Sequence, residues 1–188
     1  MSSTRPGLLA AILLAAIAAT PAAAESVVLD RSVTEADVVE AQGAWCQALL
    51  DISKANDTGG QAAAKAIAEK VIDTAYAYES GPVLFKPTLT VNPQTFRTTR
   101  DGALSYFVGG DPAYPNDKGF ALKGWTDCKV KDEAILLLGD TATTMGKVEL
   151  TGNDGAVTTV DKTWQYVKDE DGTLRIVVHH SSLEYKAN

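Results

Sequence analysis

The last third of the chain alternates between strand-like runs and short turn sequences, and this pattern restricts the fold more than any other feature. Turn sequences stand at 139–140 (GD), 152–155 (GNDG) and 169–172 (DEDG), and all three suit tight hairpin turns. Between and around them the sequence predicts strands at about 120–130, 134–138, 141–151, 156–168 and 173–183. Consecutive strands joined by tight turns predict an antiparallel meander.

The preceding part of the chain has helical rather than strand periodicity. Residues 34–37 (TEAD) resemble a helix N-cap with an acidic first turn, and apolar residues follow at helical spacing as far as 56–57. A second helix is predicted over about 60–78, closed by Ser80-Gly81-Pro82. Shorter elements follow, with a strand at 83–85, a helix at 100–108 and a loop at 111–119. The order predicts an α+β fold, in which N-terminal helices pack on a curved, mainly antiparallel sheet.

The first 24 residues are typical of a cleaved signal peptide. Arg5 precedes an apolar run at 8–19 (LLAAILLAAIAA), and the small residues of 21–24 (PAAA) supply a cleavage site before Glu25. We therefore expect one domain over 25–188, in a periplasmic or secreted protein that is not held in a membrane after the signal is removed.

Charge and cysteine content restrict the partners and the compartment. The chain has 17 lysine and arginine residues against 24 aspartate and glutamate residues, and no basic cluster interrupts the acidic surface. Nucleic acid and anionic lipid are therefore excluded as partners. Cys46 and Cys128 would meet an oxidising compartment, and the sequence leaves open whether they form a disulfide or remain buried thiols.

The only two histidines stand near the end of the last predicted strand, in 178–182 (VHHSS). Successive side chains of a strand point to opposite faces, so His179 shares a face with Ser181 and His180 shares the other with Ser182. Only one of these pairs can line a given pocket. The more apolar face of the strand continues to His180, so a pocket built on His179 needs the other face or a β-bulge.

This composition limits the chemistry of a site at the strand end. A catalytic zinc usually has three protein ligands, and two histidines rule out a three-histidine site, whereas one histidine with carboxylates stays possible. His179 and Ser181 lie about 6–7 Å apart along a strand, too far for a direct hydrogen bond. The chain has neither a G-x-S-x-G motif nor a phosphate-binding glycine loop.

Two further segments carry hydroxyl groups where a site could use them. Thr88 follows the short strand at 83–85, and Tyr106 lies in the short helix just before Gly109-Gly110. Loops and element ends held by a rigid scaffold often carry function. A structural reading also exists for each residue, with Thr88 as a cap and Tyr106 as a core aromatic.

Four motifs together resemble the iota-class carbonic anhydrases, which are built on a domain similar to the association domain of calmodulin-dependent kinase II, in the NTF2-like superfamily. They are FKPTL at 85–89, GALSYFVGG at 102–110, GFALK at 119–123 and VHHSS at 178–182. The resemblance implies an NTF2-like cone over 25–188. It also implies a lyase, carbonate dehydratase, that interconverts CO2 and bicarbonate, and a homodimer or higher homo-oligomer.

The resemblance further implies which residues form the site. Thr88, Tyr106, Ser181 and His179 would be catalytic, and Thr88, Tyr106, Ser181 and His180 would bind substrate. No metal or other cofactor is expected, with zinc or manganese as the alternative. Val178 stands where many family members have a first histidine, which favours the metal-free form. Without a metal, hydrogen bonds must orient water and stabilise charge, and either Tyr106 or His179 would accept the proton.

A function from a different class stays open at this point. A non-catalytic NTF2-like module could bind a small ligand in its cone or assemble through its sheet. The hydroxyls of Thr88 and Tyr106, together with the His-Ser strand, favour the enzyme, because a domain used only for assembly has no need of them.

Overall fold

The computed structural model describes residues 30–187, and the predicted signal peptide lies outside this range. Two α-helices, a 3-10 helix and five strands make up the fold. They are α1 (Glu35–Ala75), β1 (Leu84–Lys86), α2 (Arg100–Val108), the 3-10 helix (Phe120–Leu122), β2 (Trp125–Leu138), β3 (Thr141–Gly152), β4 (Val157–Lys168) and β5 (Leu174–Leu183). The predicted α+β order and the helix at 100–108 are confirmed.

The long N-terminal helix is two helices in series, as the sequence predicts. Thr34 is the N-cap and forms a reciprocal capping box with Asp37. The helical path is broken at Gly60, whose φ of 74° is a conformation that glycine adopts without steric cost. Within residues 30–187 no helix is long and apolar enough to cross a membrane.

The second strand differs from the sequence prediction, which divided it in two. β2 runs through 125–138 as one strand, with an irregularity in its pairing between Asp132 and Ala134 that the sequence suggested as a break. On the neighbouring strand Gly146 faces this irregularity, where a Cβ atom would collide with the carbonyl oxygen of Lys131. The predicted start at 120 is also wrong, because residues 120–122 form the 3-10 helix.

The five strands form a single open sheet in the order β1-β5-β4-β3-β2. β1 is parallel to β5, and the other neighbours are antiparallel, so the prediction of a mainly antiparallel sheet is confirmed. The core lies between the helices and the inner face of the sheet. It includes Trp45 and Ile72 of α1 and Trp164 and Tyr166 of β4.

A disulfide connects the helical layer to the sheet. Cys46 of α1 is bonded to Cys128 of β2, with 5.5 Å between the Cα atoms. The alternative of two free thiols, which the sequence left open, is therefore wrong. The bond crosses the core at the point where α1 packs on the second strand.

Candidate active site

A bulge in β5 decides which residues of its end face the core. Gln165 pairs with Val178 and Tyr166 pairs with Ile176, so Val177 is an extra residue on the last strand. After this bulge His179 and Ser181 point inward and are each 1% exposed, whereas His180 is exposed on the outer face. The sheet therefore presents the His179–Ser181 pair to the interior.

The parallel pairing of β1 with β5 brings Thr88 to the end of the last strand. Thr88 follows β1 by two residues, and its Oγ1 lies 2.5 Å from Oγ of Ser181. Lys86 Nζ donates to the carbonyl oxygen of Ser181 at 3.0 Å. The two hydroxyls form a short hydrogen bond in which either can be the donor, so the pair can pass a proton.

The third hydroxyl of the site belongs to Tyr106 of α2. Its ring stacks on Phe120 at 5.4 Å and meets Phe85 edge-on at 5.6 Å. The hydroxyl is buried and makes no hydrogen bond of normal geometry within the described part of the chain. Burial raises the pKa of Tyr106 above its ordinary value, although the nearby Leu89 backbone and Thr88 oppose this shift. Tyr106 therefore keeps its proton near neutral pH and can donate it in a hydrogen bond.

A small cavity of about 120 Å³ opens beside Tyr106. Its lining residues come from two loops, α2 and the 3-10 helix, and they are Leu89, Tyr106, Asn116, Asp117, Lys118, Gly119, Phe120 and Lys123. The buried ion pair of Arg97 with Asp117, at 2.6 Å, ties these loops together. The cavity is large enough for CO2 and a few water molecules.

His179 is as fully buried as Ser181, and both of its ring nitrogens are engaged. Nδ1 is 2.9 Å from the hydroxyl of Tyr76, and Nε2 is 2.8 Å from Nζ of Lys162. The ring also stacks on Phe85 with 4.3 Å between centroids. Burial is the largest cause that lowers the pKa of His179 well below its usual range, and Lys162 and His180 add to it. His179 thus belongs to a buried hydrogen-bonded group beside the hydroxyls.

Lys162, like Tyr76, is a member of this group that the sequence did not predict. It is 6% exposed, and its Nζ lies 4.7 Å and 5.1 Å from the ring centres of Trp45 and Trp164. Burial lowers the pKa of Lys162 to about 7. A signal exists in β4, because Lys162 alternates with Val160 and Trp164 on the face that packs inward. A lysine on an apolar strand face is unusual enough to single out.

His180 lies apart from the other predicted site residues. It pairs with Lys86 across the β1–β5 boundary and is exposed on the outer face of the sheet. The structure therefore brings together Thr88, Tyr106 and Ser181, places His179 on the same face of β5 as Ser181, and leaves His180 on the opposite face of the strand.

A helical layer on one face of an open, mixed five-stranded sheet, with a cluster of hydroxyl groups at the end of the last strand, defines an α+β protein. Residues 36–183 match the family model of the metal-independent carbonic anhydrases. The chain belongs to this family.

Individual relatives agree with the family match. A metal-independent carbonic anhydrase from Nostoc sp. (strain PCC 7120) is 58% identical over 159 residues, which cover 85% of this chain and 78% of that one. A crystal structure of the iota-carbonic anhydrase from a cyanobacterium, complexed with bicarbonate, has a TM-score of 0.84 and 57% identity. The match covers 87% of this chain and all of that one. At much lower similarity, an NTF2-like superfamily protein from Salmonella enterica has a TM-score of 0.42 and 16% identity, over 80% of this chain and 96% of that one.

The family also answers the question of a cofactor. Its members are described as metal-independent, which confirms the prediction of a carbonic anhydrase that works without a metal. In residues 30–187 no group of three or more histidine, cysteine or carboxylate side chains is placed to hold a metal ion.

Proposed function

We propose that the hydroxyl groups of Thr88, Tyr106 and Ser181 form the site that hydrates CO2 to bicarbonate. The observation that carries this proposal is the buried, unpartnered hydroxyl of Tyr106 beside the Thr88–Ser181 hydroxyl pair. A buried donor without an acceptor is costly, by about 1–3 kcal/mol, unless a ligand or water satisfies it. The bicarbonate bound in the crystallised cyanobacterial relative supports bicarbonate as that ligand.

The proposed reaction needs water to lose a proton while it attacks carbon. A lone pair of the water oxygen forms the new C–O bond, and one C=O electron pair moves onto an oxygen of CO2. The hydroxyl pair of Thr88 and Ser181 orients the water and accepts its hydrogen bonds. The hydroxyl of Tyr106 donates to the oxygen on which negative charge develops, in the manner of an oxyanion hole.

Tyr106 and His179 are the two candidates for the base, and the burial of Tyr106 argues against it. The raised pKa of Tyr106 makes its phenolate costly, so Tyr106 serves as a donor. His179 faces the same side of β5 as Ser181, and its ring nitrogens bind Tyr76 and Lys162. In this proposal the proton therefore leaves the pocket on the His179 side.

The test is stopped-flow CO2 hydration on protein treated with a strong chelator. We expect activity to survive chelation and to fall by about 10²–10³ in kcat in Tyr106→Phe, the effect of losing one oxyanion donor. Tyr185→Phe is the matched control, because Tyr185 is 90% exposed. A wild-type protein with no activity above buffer would refute the proposal.

We also propose that the protein is exported and assembles through its sheet. The signal-like sequence of residues 1–24 and the disulfide support a periplasmic or secreted location.

On the outer face of the sheet Leu136, Leu138 and Met145 are 55–61% exposed, and such an apolar patch supports pairing of two copies. Cell fractionation tests the location, and a monomer in light scattering would overturn the assembly.

A further inference from the structure

We propose that the buried Lys162–His179 pair is the proton acceptor of the hydration reaction, a step that rests on the proposed function of the Thr88–Tyr106–Ser181 pocket. The two ring nitrogens of His179 are bound to Lys162 and Tyr76 rather than to the Thr88–Ser181 hydroxyls. Lys162 and His179 therefore act through the hydroxyl pair, as positioning and proton-storing residues.

Lys162 and Ser181 are direct partners in the β4–β5 register, and both side chains point inward. Directly opposite residues of an antiparallel pair have Cβ atoms about 4.5–5.5 Å apart. Lys162 and Ser181 thus lie side by side on the inner face of the sheet. His179 precedes Ser181 by two residues on the same face, and its Nε2 is 2.8 Å from Nζ of Lys162.

The hydrogen bonds of this group favour a neutral amine in the resting protein. Trp45 Nε1 donates to the hydroxyl oxygen of Tyr76 at 3.0 Å, and the hydroxyl is 2.9 Å from Nδ1 of His179. If Tyr76 donates to Nδ1, then Nε2 carries the ring proton and donates to the lone pair of Lys162. Each of these hydrogen bonds then has one donor and one acceptor, which is the normal condition of a buried network.

An ammonium at Lys162 leaves one group without a partner. It would donate to Nε2, the ring proton would move to Nδ1, and Nδ1 would donate to Tyr76. The oxygen of Tyr76 would then accept two hydrogen bonds, and its own hydroxyl hydrogen would lose its acceptor. Protonation of Lys162 therefore costs the free energy of one lost hydrogen bond, a moderate amount that suits a group which stores a proton only transiently.

The groups around the amine also favour the neutral form. In the range 30–187 no ion pair joins Lys162 to a carboxylate. Tyr76, which follows α1, is hydrogen-bonded to His179 and interacts in turn with Tyr166 of β4. His180 of β5 interacts with both His179 and Lys162, and Lys86 of β1 interacts with His180; each of these cations disfavours further positive charge. The carboxylate of Asp132 on β2 is bound to Gln42. Trp45 and Trp164 contribute only their rings, which can stabilise a transient cation.

The step balances as a simple proton transfer. Water gives its oxygen to CO2, and its proton passes through the Thr88–Ser181 hydroxyl pair, each hydroxyl accepting one proton and releasing another. Within residues 30–187 no hydrogen bond joins the Lys162–His179 pair to these two hydroxyls, so a bridging water molecule carries the proton across. The Lys162–His179 pair then changes from neutral to singly positive. Bicarbonate leaves as the anion, and buffer removes the stored proton before the next turnover.

The first experiment compares Lys162→Met and Lys162→Arg with Lys147→Met, because Lys147 is an exposed lysine on β3. We expect kcat for CO2 hydration to fall by about 10²-fold in both Lys162 variants, the usual contribution of a general base, with little change in KM. Wild-type kcat should rise with pH around neutrality, and Lys162→Met should lose this inflection. Full activity in Lys162→Met, or in the permanently charged Lys162→Arg, would overturn the inference.

The second experiment needs no variant to be active. Lysine labelled with 13C and 15N at its side chain is observed by NMR in the wild-type protein, and Lys162→Met assigns the signal. We expect this one lysine to titrate near neutral pH, and titration above pH 10 would overturn the inference. An inactive wild type with a lysine that titrates near neutrality would refute the proposed function, whereas an active wild type with an ordinary lysine would refute only this inference.

Discussion

Thr88 Oγ1 and Ser181 Oγ lie 2.5 Å apart although 93 residues separate them in the chain. The contact exists because β1 is parallel to β5, so that the residues after one strand lie beside the end of the other. The parallel pair thus converts two distant hydroxyls into one hydrogen-bonded unit. The order of the strands, and not sequence proximity, builds the pocket.

Ser181→Ala should abolish most of the activity. The substitution removes the hydroxyl that Thr88 binds, and we expect kcat/KM to fall by about 10²-fold, as for loss of a positioned hydrogen-bonding group. Ser182→Ala is the matched control, since Ser182 lies on the other face of the same strand. Stopped-flow CO2 hydration measures both, and equal activities in the two variants would contradict the assignment of the inner face.

The His180→Ala variant tests whether His180 binds substrate. The family resemblance implies that His180 binds substrate, but its side chain is exposed on the outer face of β5. We therefore expect kcat/KM to stay at the wild-type value in His180→Ala. A loss comparable with that of Ser181→Ala would mean that the outer face contributes to the site.

The sequence predicts the elements of this fold well and the faces of its last strand poorly. Turn sequences such as GNDG mark strand ends through local chemistry, so they can be recognised without tertiary information. The bulge at Val177 depends on how β5 pairs with β4, and it reverses the face that simple alternation assigns to His179.

The sequence also predicts only part of the site. Thr88, Tyr106 and Ser181 could be found because each belongs to a motif of the family. Lys162 belongs to none of the four motifs, and its importance arises from a contact with His179 across the sheet. Tyr76 was missed because it follows α1 as an ordinary apolar position, and only the packed core turns its hydroxyl toward Nδ1.

Tyr106→Phe should separate activity from stability. The Tyr106 hydroxyl is buried without a partner among the described residues, so its removal relieves a desolvation cost of about 1–3 kcal/mol while it removes the proposed donor. We expect the free energy of unfolding to stay equal or to rise, and activity to fall. Urea unfolding beside CO2 hydration tests this, and a destabilised variant would indicate a structural hydroxyl.

The disulfide should contribute strongly to stability. Cys46 and Cys128 are 82 positions apart, and a loop of this length corresponds to a stabilisation of about 4.5 kcal/mol in the chain-entropy treatment. The double variant Cys46→Ala, Cys128→Ala should therefore unfold at clearly lower urea concentration. Oxidised and reduced wild-type protein provide the matched pair, and equal midpoints would contradict the expectation.

The buried lysine should make stability depend on pH in a predictable direction. Burial lowers the pKa of Lys162 from 10.5 to about 7 in the folded protein. Between these two values the unfolded chain binds the additional proton, so the contribution of Lys162 to the free energy of unfolding rises with pH from about 7 to about 10.5.

Lys162→Met lacks this titration and gives the comparison that isolates it. We expect the wild-type protein to gain stability relative to Lys162→Met as the pH rises from about 7 to about 10, because other tyrosines and lysines titrate equally in both proteins. Urea midpoints at about pH 7, 8.5 and 10 measure the difference. If the difference between the two midpoints stays the same over this range, Lys162 keeps an ordinary pKa. If the wild-type midpoint lies below that of Lys162→Met near pH 7 and approaches it as the pH rises, Lys162 is a buried amine that loses its proton on folding.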